Sequence, residues 1–248
     1  MSDTCVSLRV PWPAPPRVHA AFSTRHGGVS RAPWAGLNLA THVGDDPANV
    51  AANRAALGNH LRLTVEPHWL EQVHGTEVIR LDDAVSTKRG DAAITRSPGR
   101  VAAVMVADCL PVLLCDEGGQ EVAAVHAGWR GLDADIIAKT IACFAAPPSS
   151  LMAWLGPAIG LCAYRVGADL RARFVASDAR YAQAFTRIEH HWHMDLARVA
   201  ELQLVAAGVA RITASQRCVH AEPDNFYSYR RDGETGRMAA LIWIRDDL

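Results

Sequence analysis

A surplus of charge of one sign is absent from this chain: 25 Lys plus Arg stand against 26 Asp plus Glu, a formal net charge of -1. Such a balance supplies no field for nucleic acid or for an anionic membrane surface, and it leaves small molecules as the expected partners. Long hydrophobic runs are missing too. The longest, Val101 to Ala107, falls far short of the ~20 residues of a bilayer span. The opening residues, MSDTCVSLRVPWPAPP, lack a basic start followed by an apolar core, so no secretory leader is expected and the expected compartment is the cytoplasm. Cysteine is sparse. Six in 248 residues, without a CxxC pair, exclude a disulfide scaffold and predict reduced, mostly buried thiols at Cys5, Cys115, Cys143, Cys162 and Cys218. There is no HExxH helix, no internal repeat and no flexible linker, and nothing chooses between a monomer and a homodimer.

What is present is apolar content of 50%, enough to fill one substantial core. The proline-rich residues 1–17 read as an extended N-terminal surface segment, and 18–248 as a single domain. Strands are expected at Val18 to Thr24, on both sides of a His74-Gly75 turn (Trp69 to Val73, Glu77 to Leu81), at Val101 to Val106, Val112 to Cys115, Val122 to His126 and Leu151 to Leu155, then from Ile212 and at Met238 to Ile244. Asp82 to Gly90 reads as a surface loop. Asp46 as cap with Pro47 behind it opens a helix with Val50, Leu57 and Leu61 on its inner stripe. A second helix is expected after Gly131 through Phe144, with Asp133 and Asp135 in its first turn. A third covers Ala168 to Ala176, and Asp195 caps a fourth that closes at Gly208. Interspersed strands and helices of this kind predict an α/β fold, a single compact layered domain with a mixed β-sheet flanked by helices.

His74 at a sharp turn, with Cys109 and His126 at the ends of buried strands, can converge at the mouth of an α/β site. Two imidazoles and a thiolate suit zinc, and three protein ligands leave the fourth position open, as catalytic sites do. Taken singly, each has another reading: a turn histidine is often polar surface, and a cysteine after VMVAD is often a small buried hydrophobe. Arg25-His26-Gly27-Gly28 is either a plain β-turn or a loop that brings amides and an arginine to a ligand. The run His190-His191-Trp192-His193 reads as a surface strand or loop, because adjacent histidines diverge.

The blocks around these residues carry a resemblance. Gln72-Val73-His74-Gly75, Ala107-Asp108-Cys109-Leu110-Pro111-Val112 and His126-Ala127-Gly128-Trp129-Arg130-Gly131 resemble the three signature blocks of the YfiH family of laccase-domain proteins, which have been described as multicopper polyphenol oxidases and as purine nucleoside phosphorylases. Ser23-Thr24-Arg25, Asn38-Leu39, Val43-Gly44-Asp45, Gly156-Pro157 and Phe226-Tyr227-Ser228-Tyr229-Arg230 extend the resemblance over about residues 18 to 245. It implies one metal on His74, Cys109 and His126, phosphorolysis of purine nucleosides including methylthioadenosine, adenosine deamination, and a pocket arginine at Arg25.

Chemistry assigns further expectations. An open zinc position lowers the pKa of bound water toward neutrality, which deamination at purine C6 requires. Asp108 is the candidate proton carrier, or else it orients its neighbours. Phosphate is expected on Arg25, Arg130 and the amides of Gly128 to Gly131, where a helix starts. Trp129, Phe226, Tyr227 and Tyr229 offer either a stacking face for a purine or core packing. Ser228 either contacts substrate or caps a turn. Copper is the other metal that a thiolate and imidazoles accept, so oxidation of polyphenols is the enzymatic alternative. The chain lacks the set of paired His-x-His clusters a multicopper centre needs. A third expectation, also from the resemblance, is a structural metal in a protein of cell-envelope quality control that binds or edits peptidoglycan precursors.

Overall fold

Val101–Val106, Leu110–Asp116 and Val122–Ala127 are buried at every position, so each needs cover on both faces. The computed structural model, which describes residues 6–83 and 88–245, supplies that cover by stacking sheet on sheet. In chain order the first half contains β1 (Ser7–Arg9), β2 (Val18–Ser23), α1 (Pro47–Leu61), β3 (His68–Trp69), β4 (Val78–Arg80), β5 (Ala92–Thr95), β6 (Val101–Val106), β7 (Leu110–Asp116) and β8 (Val122–Ala127). The second half contains α2 (Trp129–Asp133), α3 (Ile136–Ile141), β9 (Leu151–Leu155), β10 (Arg165–Val166), α4 (Ala168–Ser177), β11 (Phe185–Ile188), β12 (His191–Met194), α5 (Leu196–Ala206), β13 (Arg211–Ala214), α6 (Tyr229–Asp232) and β14 (Met238–Ile244). No helix among the described residues is long and apolar enough to cross a membrane.

One sheet runs β1-β2-β14-β6-β3 and the other β13-β9-β7-β8-β5-β4. Both are mixed: β3 joins β6, β4 joins β5 and β13 joins β9 in parallel, while the other pairings are antiparallel. Phe22, Val104, Ala240 and Ile242 of the first sheet interlock with Leu113, Ala124, Met152 and Trp154 of the second. Leu132, Ile136, Val199 and Leu204 of α2, α3 and α5 cover the second sheet's outer face. Leu57 of α1 and the loop residues Leu37 and Leu39 cover the first. The expected α/β class holds, with two large mixed sheets and a small third one, β10-β12-β11, in place of a single sheet.

Asp46 caps α1 as expected, accepting from the Ala48 amide at 2.8 Å. Val50 and Leu57 face inward and Leu61 is partly buried against the same core, and Asn53 joins them as a third fully buried position. Asn53 is fully buried, donates to Ser30 Oγ at 2.8 Å and accepts from the Val29 amide at 2.8 Å, so it pins the Gly27-Gly28 turn to the helix. The opening segment is not only surface: Ser7–Arg9 pairs with β2, and Val10 is buried. The helix expected after Gly131 begins at Trp129 and is broken in two, because Asp135 takes a left-handed φ of 62° and ends the first piece. Neither Asp133 nor Asp135 sits in a helix's first turn. Residues 84–87, within the expected 82–90 loop, lie outside the described residues, as does Cys5. Cys115 is buried as expected, Cys143 and Cys218 are half-buried, and Cys162 is exposed. The histidine run enters strand β12 at His191, with His190 in the turn before it.

Candidate metal centre

The two strands flanking His74 belong to different sheets, so residues 70–77 cross the gap between them. Two side chains shape that crossing. Gln72 imitates a strand partner: its amide nitrogen donates to the Met105 carbonyl at 2.8 Å and its oxygen accepts from the Met105 amide at 2.7 Å. Asp91, just before β5, accepts from the amides of Val73 (3.2 Å), His74 (2.9 Å) and Gly75 (2.7 Å). His74 itself is held at a φ of 58°. Register carries the other two residues to the same place, since β7 and β8 pair Pro111 with His126 and leave Cys109 beside the end of β8.

His74, Cys109 and His126 thereby bring one ligand atom each within 4.8 Å of one another, with Cys109 Sγ 3.9 Å from His74 Nε2. Bonds of about 2.0 Å to nitrogen and 2.3 Å to sulfur would set tetrahedral ligand atoms roughly 3.3–3.5 Å apart, so the donors stand slightly wider than an ion would hold them. Their chemistry fits a divalent ion of intermediate softness. His126 Nδ1 lies 2.8 Å from Asp91 Oδ1, and the two side chains are 4% and 0% exposed. A carboxylate on that nitrogen fixes the tautomer and turns Nε2 toward the other two donors. Gly128 keeps the space clear: a Cβ there would fall 2.9 Å from Cys109 Sγ and 3.2 Å from His74 Cδ2.

Burial alone would raise the Cys109 pKa, but the charge of His126 and hydrogen bonds from both imidazoles bring it down to about 6. Burial would likewise lower His126, yet the Cys109 thiolate and Asp91 raise it to about 9. Asp91 stays below its ordinary range despite burial, because His126 and the loop amides favour the carboxylate. Both shifts run in the direction that favours a Cys109 thiolate beside a protonated His126.

Around this centre the structure places the other expected residues unevenly. Asp108, at a φ of 100°, accepts from Ser228 Oγ at 2.6 Å and from the Arg230 amide at 2.6 Å. Ser228 is fully buried, and its oxygen also accepts from the Arg231 amide at 3.3 Å, so the hydroxyl caps α6 and anchors Asp108. Phe226 and Tyr227 are core residues, with Tyr227 donating to the carbonyls of Trp34 and Ala35. Tyr229 is 61% exposed and keeps a free face, with Arg237 5.9 Å from its ring centroid. Trp129 packs partly on the core and carries the exposed Arg130 at 4.5 Å. Arg25 lies over the Tyr227 ring at 4.8 Å and donates to the Pro223 carbonyl at 2.9 Å, so it braces the 223–232 segment that Asp108 also holds. Gly131 is buried, where a Cβ would meet Ile136 Cγ2 at 3.3 Å.

Three residues that the sequence reading missed also belong here. Asp91 is the first. Tyr164 is 9% exposed and feels the charges of Cys109, Arg230, Asp108 and Arg130. Burial, reinforced by Cys109, pushes its pKa up to about 12, which keeps the phenol protonated. Arg237 is the third; burial pulls its pKa down while Asp108, Cys109 and Tyr229 push it up. No local motif marks any of them.

The class this defines is a layered α/β domain with a buried Asp–His pair behind a His-Cys-His cluster whose donors could hold a metal ion. Residues 19–245 match the family model described as multi-copper polyphenol oxidoreductase laccase. The chain is 48% identical to purine nucleoside phosphorylase YfiH of Shigella flexneri over 94% of this chain and 96% of that one. It is 44% identical to a purine nucleoside phosphorylase of Pseudomonas aeruginosa, over 95% and 97%. A crystal structure from Neisseria meningitidis superposes with a TM-score of 0.92 at 43% identity, covering 97% of this chain and 100% of that one. YlmD of Geobacillus stearothermophilus superposes at 0.88 and 31% identity, over 99% and 98%. The chain belongs to the YfiH family of laccase-domain, purine-nucleoside-phosphorylase-like enzymes.

Proposed function

We propose that this chain is a zinc-dependent purine nucleoside phosphorylase acting on inosine, adenosine and methylthioadenosine, with adenosine deaminase activity at the same centre. The observation that carries the reading is the convergence of His74, Cys109 and His126 in front of Asp91, on a side where Tyr229, Tyr164, Arg130 and Arg237 gather. The relatives named purine nucleoside phosphorylase supply the substrate class.

In phosphorolysis a phosphate oxygen bonds to the anomeric carbon, the C1′–N9 bond breaks, and its electron pair leaves with the base, which takes up a proton. Zinc on the three ligands would supply Lewis-acid polarisation and an activated water for deamination. The chain's own groups have separate tasks. Tyr229 presents its exposed face to the purine. Tyr164, protonated at neutral pH, donates a hydrogen bond to a developing negative charge. Arg130 and Arg237 bring positive charge to the phosphate side, together with the Gly128–Gly131 turn, and Arg25 holds the segment that carries Tyr229. Asp108 positions that same segment through Ser228 and Arg230.

Metal-loaded protein is expected to convert inosine and phosphate to hypoxanthine and ribose 1-phosphate. Failure on inosine, adenosine and methylthioadenosine under saturating phosphate, with metal at one equivalent, overturns the proposal. Copper oxidation of polyphenols is the second reading, favoured by the soft thiolate and by the description of the matching family model. Among the described residues one cluster has metal-ligand spacing, where four-electron reduction of oxygen is usually spread over several metals. Phenol oxidation that appears with added copper and vanishes with zinc would be incidental.

A further inference from the structure

A groove that the reaction as described leaves unused starts beside the metal cluster. Val73 lines it, is 41% exposed and is the residue before His74, so the rim lies one chain step of about 3.8 Å from a ligand residue. Gln72 and Met105, locked together by their two hydrogen bonds, belong to the same wall. From there the groove extends to Trp69 of β3 and Arg54 of α1, and its volume of about 740 Å³ is in the range of small-ligand sites.

Both signs of charge line it, Arg54 and Lys88 against Glu66 and Glu71. One indole holds two of the four. The Arg54 guanidinium lies 4.4 Å from the centroid of the Trp69 ring, and Trp69 Nε1 donates to Glu66 Oε1 at 3.1 Å. Trp69 is 8% exposed and paired with Ala103 of β6, so the ring is a rigid mount. Arg54 is fixed further by its Nε, which donates to the Leu39 carbonyl at 2.9 Å. Arg54 feels the charge of Glu66, yet among the described residues neither side chain enters an ion pair. His42 and His68 also line the groove, and burial followed by neighbouring cations pulls both their pKa values down, toward the neutral imidazole. Two cations against two carboxylates leave no net charge, which gives a bare anion no advantage. Opposite charges fixed on one ring without neutralising each other complement a ligand that carries both signs.

We propose that this groove binds the free amino-acid end, ammonium and carboxylate together, of a nucleoside that carries it on a 5′-thioether, as S-adenosylhomocysteine does. Glu66 takes the ammonium and Arg54 the carboxylate. The inference rests on the nucleoside reading given above, in which the base and phosphate already have places at Tyr229 and at Arg130 with the Gly128–Gly131 turn. The groove then receives what hangs from the sugar's 5′ carbon. Phosphorolysis runs as before: a phosphate oxygen bonds to C1′, the C1′–N9 bond breaks with its electron pair on adenine, adenine takes up a proton, and the C5′–S bond stays intact.

The test is calorimetric titration of the full-length, zinc-loaded protein and its Glu66→Gln and Arg54→Gln variants with S-adenosylhomocysteine and methylthioadenosine. Glu66→Gln keeps an acceptor for Trp69 Nε1 and removes only charge. Loss of one charge-assisted contact should weaken S-adenosylhomocysteine about 10- to 100-fold and leave methylthioadenosine within twofold. The two substitutions change net charge in opposite directions, so a field effect cannot account for weakening in both. Tm and zinc content control for folding, and Glu66→Gln decides alone if Arg54→Gln fails to fold. Weakening of at least fivefold, confined to S-adenosylhomocysteine, supports the groove. An unaltered protein that binds S-adenosylhomocysteine at least fivefold more weakly than methylthioadenosine, or binds neither at millimolar concentration, overturns it. So does a Glu66→Gln protein that binds S-adenosylhomocysteine within fivefold of the unaltered one, or that weakens both ligands alike. A protein that phosphorolyses methylthioadenosine but fails these tests keeps its proposed function and loses the groove. One that binds S-adenosylhomocysteine through Glu66 but turns over no nucleoside does the reverse.

Discussion

Replacing Asp91 by asparagine keeps the side chain's shape while removing its charge and one of its two acceptor atoms. In the native site Oδ1 accepts from His126 Nδ1 and the His74 amide, and Oδ2 accepts from the amides of Val73 and Gly75. An amide cannot serve all four. If its oxygen faces His126, its NH2 group points donor to donor at Val73 and Gly75; if flipped, it confronts His126 Nδ1 and drives the proton to Nε2, the atom that must bind metal. Hydrogen bonds to charged groups contribute about 1.5–3 kcal/mol each, and this carboxylate is fully buried, so loss of two should cost about 3–5 kcal/mol of stability. Metal affinity should fall about 10- to 100-fold, the usual effect of removing such a partner. Competition against a calibrated chelator reads the affinity and calorimetry reads the Tm. An Asp91→Asn protein that binds zinc within twofold of the unaltered chain would refute the role given to this carboxylate.

Other outcomes follow from the same geometry. With Cys109 near about 6 and His126 near about 9, the metal-free pair carries close to one proton at pH 7.5, so zinc uptake should release about one proton there. Release should fall toward zero above about 9 and rise below about 6, and zinc affinity should weaken roughly tenfold per pH unit lowered between those values; titrations in buffers of different ionisation enthalpy measure both. Tyr164→Phe should lower kcat for inosine about 10- to 100-fold with zinc content unchanged, and unchanged kcat would remove Tyr164 from the site. Cys109→Ser should leave a folded protein that retains less than a tenth of its zinc, judged by metal analysis and circular dichroism. Unfolding instead would make the ion structural.

The convergence of His74, Cys109 and His126 was legible in the sequence because each sits in a compact local block, and the strands beside Cys109 and under His126 announce themselves by unbroken apolar runs. Those runs do not reveal what covers them: a strand buried on both faces reads alike under a helix layer and under a second sheet, which is why one sheet was expected where two large ones exist. Asp91 was illegible for a different reason. Its place depends on the antiparallel register of β5 on β8, Ala92 opposite Val125, which sets the preceding carboxylate against His126 across a gap of 35 residues. Ser228 had two readings, and the cap is the one visible in the fold, where its hydroxyl accepts from the Arg231 amide. The break between α2 and α3 turns on a left-handed Asp135, a conformation aspartate tolerates without advertising it.

The central claim, that the His74–Cys109–His126 centre serves purine nucleoside phosphorolysis, is tested most directly by following hypoxanthine release from inosine while zinc is titrated into metal-free protein under saturating phosphate. Activity that rises linearly and levels off at one equivalent of zinc, and that Cys109→Ser fails to develop, is the predicted result. Turnover equal with and without zinc, or none on inosine, adenosine or methylthioadenosine at full occupancy, would contradict it.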